Sequence, residues 1–300
     1  MSNSRQQTEL KAELALDAMA RLGEGAIWHP QEKVLYWVDI EGKALHLYNP
    51  KNGEDRKIDV GARIGTVVPV EGGSALVALQ NGIHKINTTT GELTFLKNPL
   101  KQPDIRFNDG KCDPKGRFWV GTMALDSREG AAVLYRMDHD LSLYLMLEKL
   151  TISNGIVWTA DCQTMYFTDT PTRQVQAFDY DNESGGISNG RVVIEIPKGA
   201  GSPDGMTLDA EGKLWVALHG GAAVGRFDPQ TGQMLQKVEV PATNVTSCAF
   251  GGENLDTLYI TTGREWLSEE VLEKYPHSGG LFKVKPGVRG VPADFYRGSV

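Results

Sequence analysis

One pattern recurs six times along this chain and limits what it can fold into. The runs VLYWVDI (34–40), SALVALQ (74–80), RFWVGTM (117–123), TMYFTDT (164–170), KLWVALH (213–219) and TLYITTG (257–263) are apolar, β-branched and aromatic, and their starts lie 40, 43, 47, 49 and 44 residues apart. A turn rich in Gly, Asp, Asn or Glu precedes each run, and a further strand-like run precedes each turn. An alternating third run follows every time, and a fourth follows in the first five repeats. Four short strands per repeat at this period predict the blades of a β-propeller. The sixth repeat lacks a fourth strand, whereas ELALDAM (13–19) has no partner at the other end of the chain. Pairing the two closes the ring and removes exposed strand edges. The expectation is therefore all-β: a six-bladed β-propeller of four antiparallel strands per blade, with an N-terminal strand closing the last blade. It forms one domain over 1–300, with a flexible N-terminus of about residues 1–10. A long β-sandwich or two smaller β domains is the alternative, and no linker-like composition break supports two domains. The helical candidate, EWLSEEVLEKY (265–275), places Leu267, Val271, Leu272 and Tyr275 on one face, with Ser268 as cap. It reads as a lid over one mouth, or as a loop packed on the surface.

Composition narrows the function. The net charge is −7, which argues against nucleic acid and anionic membranes as partners. No apolar run approaches a membrane span. The first residues are polar and lack the apolar core of an export signal, so a cytoplasmic location is expected. Cys112, Cys162 and Cys248 form no CxxC and, being three, no complete disulfide set; buried reduced thiols are expected. There is no HExxH, so a zincin is not indicated. A monomer or a small homo-oligomer is equally compatible with the sequence.

The chemistry should sit where the first strands of the repeats begin, because these strands line the central channel of a propeller. The aligned slots read Gly23-Glu24-Gly25, Ile64-Gly65-Thr66, Phe107-Asn108-Asp109-Gly110, Ser153-Asn154-Gly155, Pro203-Asp204-Gly205 and Thr246-Ser247-Cys248. Taken singly, Asn-Gly and Asp-Gly are turn dipeptides. Repeated around a ring, they aim Glu24, Asn154 and Asp204 at one axis. Two carboxylates facing each other in a partly dry channel need a proton or a cation between them. Hard oxygen donors without thiolate suit Ca²⁺, Mg²⁺ or Mn²⁺, and Zn²⁺ is compatible. One divalent cation on three protein ligands leaves room for water and substrate.

Other residues cluster near this mouth. Arg106 offers a planar donor fork to a carbonyl, carboxylate or hydroxyls, or pairs on the surface with Asp104 or Asp109. Asp126 lies in the loop MALDSREGAA, a candidate specificity loop; it is expected to hold substrate hydroxyls with Arg106 and Asn108, or else is a solvated loop carboxylate. Asp39, Asp169 and His219 end second strands at the same mouth, as supporting groups or turn acceptors. Trp28, Trp37, Trp119, Trp158 and Trp215 read as packing; Trp266 falls on the helical candidate.

The segments LGEGAIW, RFNDGKCDPKGRFWVGTM, SNGIVWTADCQTMYFTDT, PDGMTLDAEGKLWVA and TSCAFGGENLDTLYITT resemble, in order, the senescence-marker-protein/gluconolactonase/luciferin-regenerating family, over about residues 22–296. The resemblance implies a six-bladed propeller and divalent-metal-dependent hydrolysis of sugar lactones to aldonic acids. It implies metal ligands at Glu24, Asn154 and Asp204, with Asp204 also the catalytic base for water, and substrate contacts at Arg106 and Asn108. Some members carry Glu where this chain has Asp126, which bears on sugar preference. Two alternatives accompany this reading: a non-catalytic calcium-binding regulatory propeller, and a phosphotriesterase-like hydrolase on the same fold.

Overall fold

The computed structural model describes residues 10–70 and 73–300. Its elements are almost entirely strands. Four repeats fold as separate four-stranded antiparallel meanders. The first consists of Gly23–His29, Val34–Asp39, Ala44–Asn49 and Glu54–Asp59. The next three begin with Ile64–Val70, Ile105–Cys112 and Ser153–Trp158. The fifth and sixth repeats are not separate as expected but belong to one nine-stranded sheet. The only Cα pairing that joins their meanders, among the described residues, is His219 with Asn244, where two strand ends meet at the mouth.

The N-terminus closes the sixth repeat. Glu13–Leu16 runs antiparallel to Leu281–Val284, pairing Leu14 with Phe282. Leu10–Lys11 adds a pairing that the sequence reading did not foresee, parallel to Met234–Glu239 of the fifth repeat. The expected flexibility of residues 1–9 lies outside the described residues; Leu10 is paired.

Burial explains the order of the runs. In the first repeat the first strand is wholly buried, the next two nearly so, and the fourth mostly exposed. Packing lies between sheets rather than within one. Leu22, Ile27 and Tyr36 of the first repeat pack with Val67 and Val77 of the second. Trp119 of the third packs with Ile156 and Phe167 of the fourth, and Trp28 and Trp37 of the first with Ala249 and Tyr259 of the sixth. The first strands touch in a closed cycle, the sixth contacting the first. The five strand tryptophans are buried, and three are anchored by an acid: Trp37 Nε1 donates to Asp55, Trp119 to Asp113 and Trp215 to Asp209. Arg117 and Arg226 complete the last two corners through Asp113 and Asp209.

Two expectations need correction in detail. The helix is shorter than 265–275, spanning Glu269–Lys274; Ser268 caps it by accepting from Val271 N, and none of its residues is buried. Cys112 and Cys248 are buried free thiols, but Cys162 sits half-buried on a turn. No helix among the described residues is long and apolar enough to cross a membrane. The C-terminal segment crosses the end of the channel away from the site. Val291 and Asp294 line a cavity there with Trp28, Lys111, Trp158 and Phe250.

Candidate active site

All six first strands carry a register shift at the same slot: between Glu24 and Ile27, Ile64 and Thr66, Phe107 and Gly110, Asn154 and Ile156, Pro203 and Met206, and Val245 and Ser247. A β-bulge bends its strand and re-aims a side chain. The glycines permit it. Gly25 has φ +59, and a Cβ on Gly155 would stand 2.5 Å from the Asp204 carbonyl oxygen. The Asn154-Gly155 and Asp204-Gly205 pairs are thus bulges inside strands, not hairpin turns.

Five of the six predicted residues line one open cavity. Glu24, Arg106, Asn108, Asn154 and Asp204 line it, together with Ser127, Thr170, His219 and Trp266. Asp126 does not. Its carboxylate is exposed and accepts from Arg128 N and Nη1 at 3.2 and 3.1 Å. Ser127, at φ +55, lines the cavity instead. In the second and sixth repeats the slot holds threonines, which tie neighbouring strands together. Thr66 Oγ1 donates to Gly110 O at 3.0 Å and Thr246 Oγ1 to Gly23 O at 2.5 Å.

Glu24 and Asp204 are buried and within hydrogen-bond reach of each other. Burial, and next the nearby Asp109 charge, push the Glu24 carboxyl up to about 8. Burial and the Glu24 charge hold Asp204 well above the carboxylate range. Asp204 Oδ1 and Asn154 Oδ1 are buried without a hydrogen-bond partner. The rest of Asn154 is fixed: its Nδ2 donates to Thr170 Oγ1 at 3.0 Å, and Thr170 Oγ1 donates to Pro203 O at 2.9 Å. Unpartnered acceptor oxygens beside two carboxyls that resist ionisation are a donor set a hard cation satisfies. Among the described residues no group of three or more His, Cys, Asp or Glu is placed to hold a metal. The set here is two carboxyls and an amide, with water positions to spare.

Arg106 takes the inward of its two possible orientations. Asp104 is occupied by Arg128 at 2.6 Å, and the buried Arg106 Nη1 donates to Asn108 Oδ1 at 2.7 Å and Phe107 O at 2.9 Å. Asn108 Nδ2 in turn donates to Ser153 O at 2.9 Å, beside Asn154. Burial lowers the Arg106 guanidinium to about 10, so it stays charged at neutral pH. Burial also lowers His219, which favours the neutral imidazole. Asp39 and Asp169 serve the backbone: Asp39 accepts from Arg21 N and Leu22 N, and Asp169 from Thr151 N and Ile152 N. Each pins the segment leading into a candidate ligand, Glu24 or Asn154. The sequence reading passed over Asp109 as a separate group. It is buried with Oδ2 unpartnered, and its side chain follows Asn108 in the same slot.

The pattern defining the SMP-30/Gluconolactonase/LRE-like region matches residues 22–264. The chain belongs to this family. YvrE of Bacillus subtilis, named as a candidate sugar lactone lactonase, is 38% identical over 92% of this chain and 95% of its own. Regucalcin of Danio rerio is 37% identical over 97% of this chain and 100% of its own. The crystal structure of an Agrobacterium tumefaciens regucalcin, described as a calcium-binding protein, superposes with a TM-score of 0.92 at 27% identity, covering 96% of this chain and 98% of that one. The family name includes gluconolactonases, and a divalent cation is named among its members.

Proposed function

We propose that this protein is a divalent-cation-dependent sugar lactonase, acting in the cytoplasm as a single six-bladed propeller domain. The blade count is supported by the closed cycle of first strands and by the single pairing that joins the fifth and sixth meanders. The observation that carries the function is the buried Glu24–Asp204 pair beside the unpartnered Oδ1 atoms of Asp204 and Asn154.

Glu24, Asn154 and Asp204 would hold the ion, which supplies a Lewis acid for the lactone carbonyl oxygen and keeps both carboxyls ionised. Asp204 accepts a proton from water as its oxygen adds to the carbonyl carbon. The same proton passes to the departing ring oxygen when the C–O bond breaks, giving the open aldonic acid. Arg106 and Asn108, locked to each other at 2.7 Å, present a rigid polar wall to ring hydroxyls and fix the pose. From the loop that carries Asp126 we assign the substrate contact to Ser127, because Ser127 lines the cavity.

Hydrolysis of an aldonolactone panel, read by a pH indicator, tests this with stripped protein and with Ca²⁺, Mg²⁺, Mn²⁺ or Zn²⁺ restored. Turnover that returns with an ion and is lost in Asp204→Ala is expected. An ion that binds without turnover of any lactone would favour the calcium-binding regulatory reading.

A further inference from the structure

The cavity has two characters. Its inner lining sets Glu24, Asn154 and Asp204 beside the apolar Ile40, Met123 and Ile152, and its rim includes Trp266. Trp266 is 73% exposed, whereas the other five tryptophans are at most 6% exposed. A large aromatic left in water at the mouth of a polar site gains nothing for folding.

Its backbone is also unfavourable. Leu267 N donates to Arg264 O at 3.4 Å, closing a turn whose third residue is Trp266 with φ 62. That position favours Gly or Asn, and a bulky residue there is strained. The strain persists because the turn is clamped. Glu265 N donates to Arg21 O at 2.8 Å. The Arg21 guanidinium grips the Glu265 carboxylate through Nη2 at 2.6 Å and Nε at 2.8 Å. Arg21 begins the segment that Asp39 pins ahead of Glu24. The indole is therefore held in register with a proposed ion ligand, at the cost of local strain. Strain kept at a site by its surroundings points toward function.

Resting on the lactonase reading, we infer that Trp266 determines specificity by stacking its indole on the C–H face of the lactone ring while Arg106 and Asn108 hold the hydroxyl edge. It positions the substrate and takes no part in bond breaking. The class of substrate this selects is a cyclic sugar lactone with one face free of axial hydroxyls.

Two readouts test this on the whole protein. In Trp266→Ala, stacking is lost and KM for D-glucono-δ-lactone rises about fivefold to tenfold with kcat little changed, while Trp266→Phe keeps most of the affinity. Acrylamide quenching isolates the exposed indole in the native protein, and saturating lactone during steady-state turnover should protect it. The unfolding midpoint of Trp266→Ala should not fall, because the side chain is unburied and alanine bears the same left-handed backbone. Lactone turnover with unchanged KM in Trp266→Ala and unprotected quenching overturns the inference and leaves the lactonase reading standing. No turnover of any lactone by the native protein overturns that reading and this inference with it.

Discussion

Glu24 shows how one residue would tie stability to the proposed ion. Its carboxyl rises from 4.5 to about 8 on folding without a cation, because it is buried and faces Asp109. A raised carboxyl binds a proton more tightly in the folded than in the unfolded chain, so its contribution is full below the unfolded value and is lost as pH rises through the folded one. The unfolding midpoint of stripped protein should therefore fall between about pH 5 and pH 8. Added divalent ion should reduce that fall, and Glu24→Gln should reduce it in the stripped protein; scanning fluorimetry against pH checks both. Ion binding at pH 7 should release protons from the Glu24–Asp204 pair, more than about one per ion, measured by calorimetry in buffers of different ionisation enthalpy. The three proposed ligands were legible because they occupy one slot in repeated units. Ser127 was not, since its inward direction depends on a left-handed backbone at φ +55 that a run such as ALDSREG does not dictate. Arg106 was ambiguous for a similar reason: its inward turn depends on Arg128 occupying Asp104 from 24 residues away.

The bulged first strand is the element that turns a repeat into a site. At Gly65 and Gly155 the bulge needs a residue without a Cβ, because the backbone of the next first strand would stand within 2.6 Å of it. On Gly155 an added Cβ would meet Asp204 O at 2.5 Å and Met206 Cε at 2.7 Å. Gly155→Ala should cost about 1–3 kcal/mol by overpacking. It should also lower turnover more than its stability loss explains, because the displaced backbone is that of Asp204; denaturant titration and kinetics on one preparation check the pair. Breaking an Asp–Trp–Arg corner should affect folding alone. Asp209→Ala leaves the buried Trp215 Nε1 unpaired and leaves Arg226 with Glu211 alone, and should cost about 1–3 kcal/mol, with turnover of the folded fraction retained. The strand runs were readable from apolar content and turn residues. The bulges were not, because Asn-Gly reads as a turn until the register Asn154–Thr168 and Ile156–Phe167 places it inside a strand. The helix was overread: its apolar spacing was real, but six residues with none buried have no core to face.

At the scale of the whole molecule, the chain's two ends close the structure. Glu13–Leu16 completes the sheet that ends at Leu281–Val284, and Tyr296 N reaches back to Pro69 O at 2.9 Å. Removing the first 16 residues should open an edge beside Phe282, lower the unfolding midpoint and increase aggregation, as light scattering during a thermal ramp would record. The N-terminal closure was legible because the count of strand runs left one unpaired at each end. The parallel pairing of Leu10–Lys11 with the fifth repeat was not, since two residues carry no periodicity. Every part of this architecture brings Glu24, Asn154 and Asp204, from three different repeats, to one point. The direct test is to titrate stripped protein with the activating divalent ion while following lactone hydrolysis and ion occupancy together. Turnover should rise in proportion to bound ion and level off at about one ion per chain, with neither binding nor turnover in Asp204→Ala. Full turnover by ion-free protein, or an unaffected Asp204→Ala, would contradict the account.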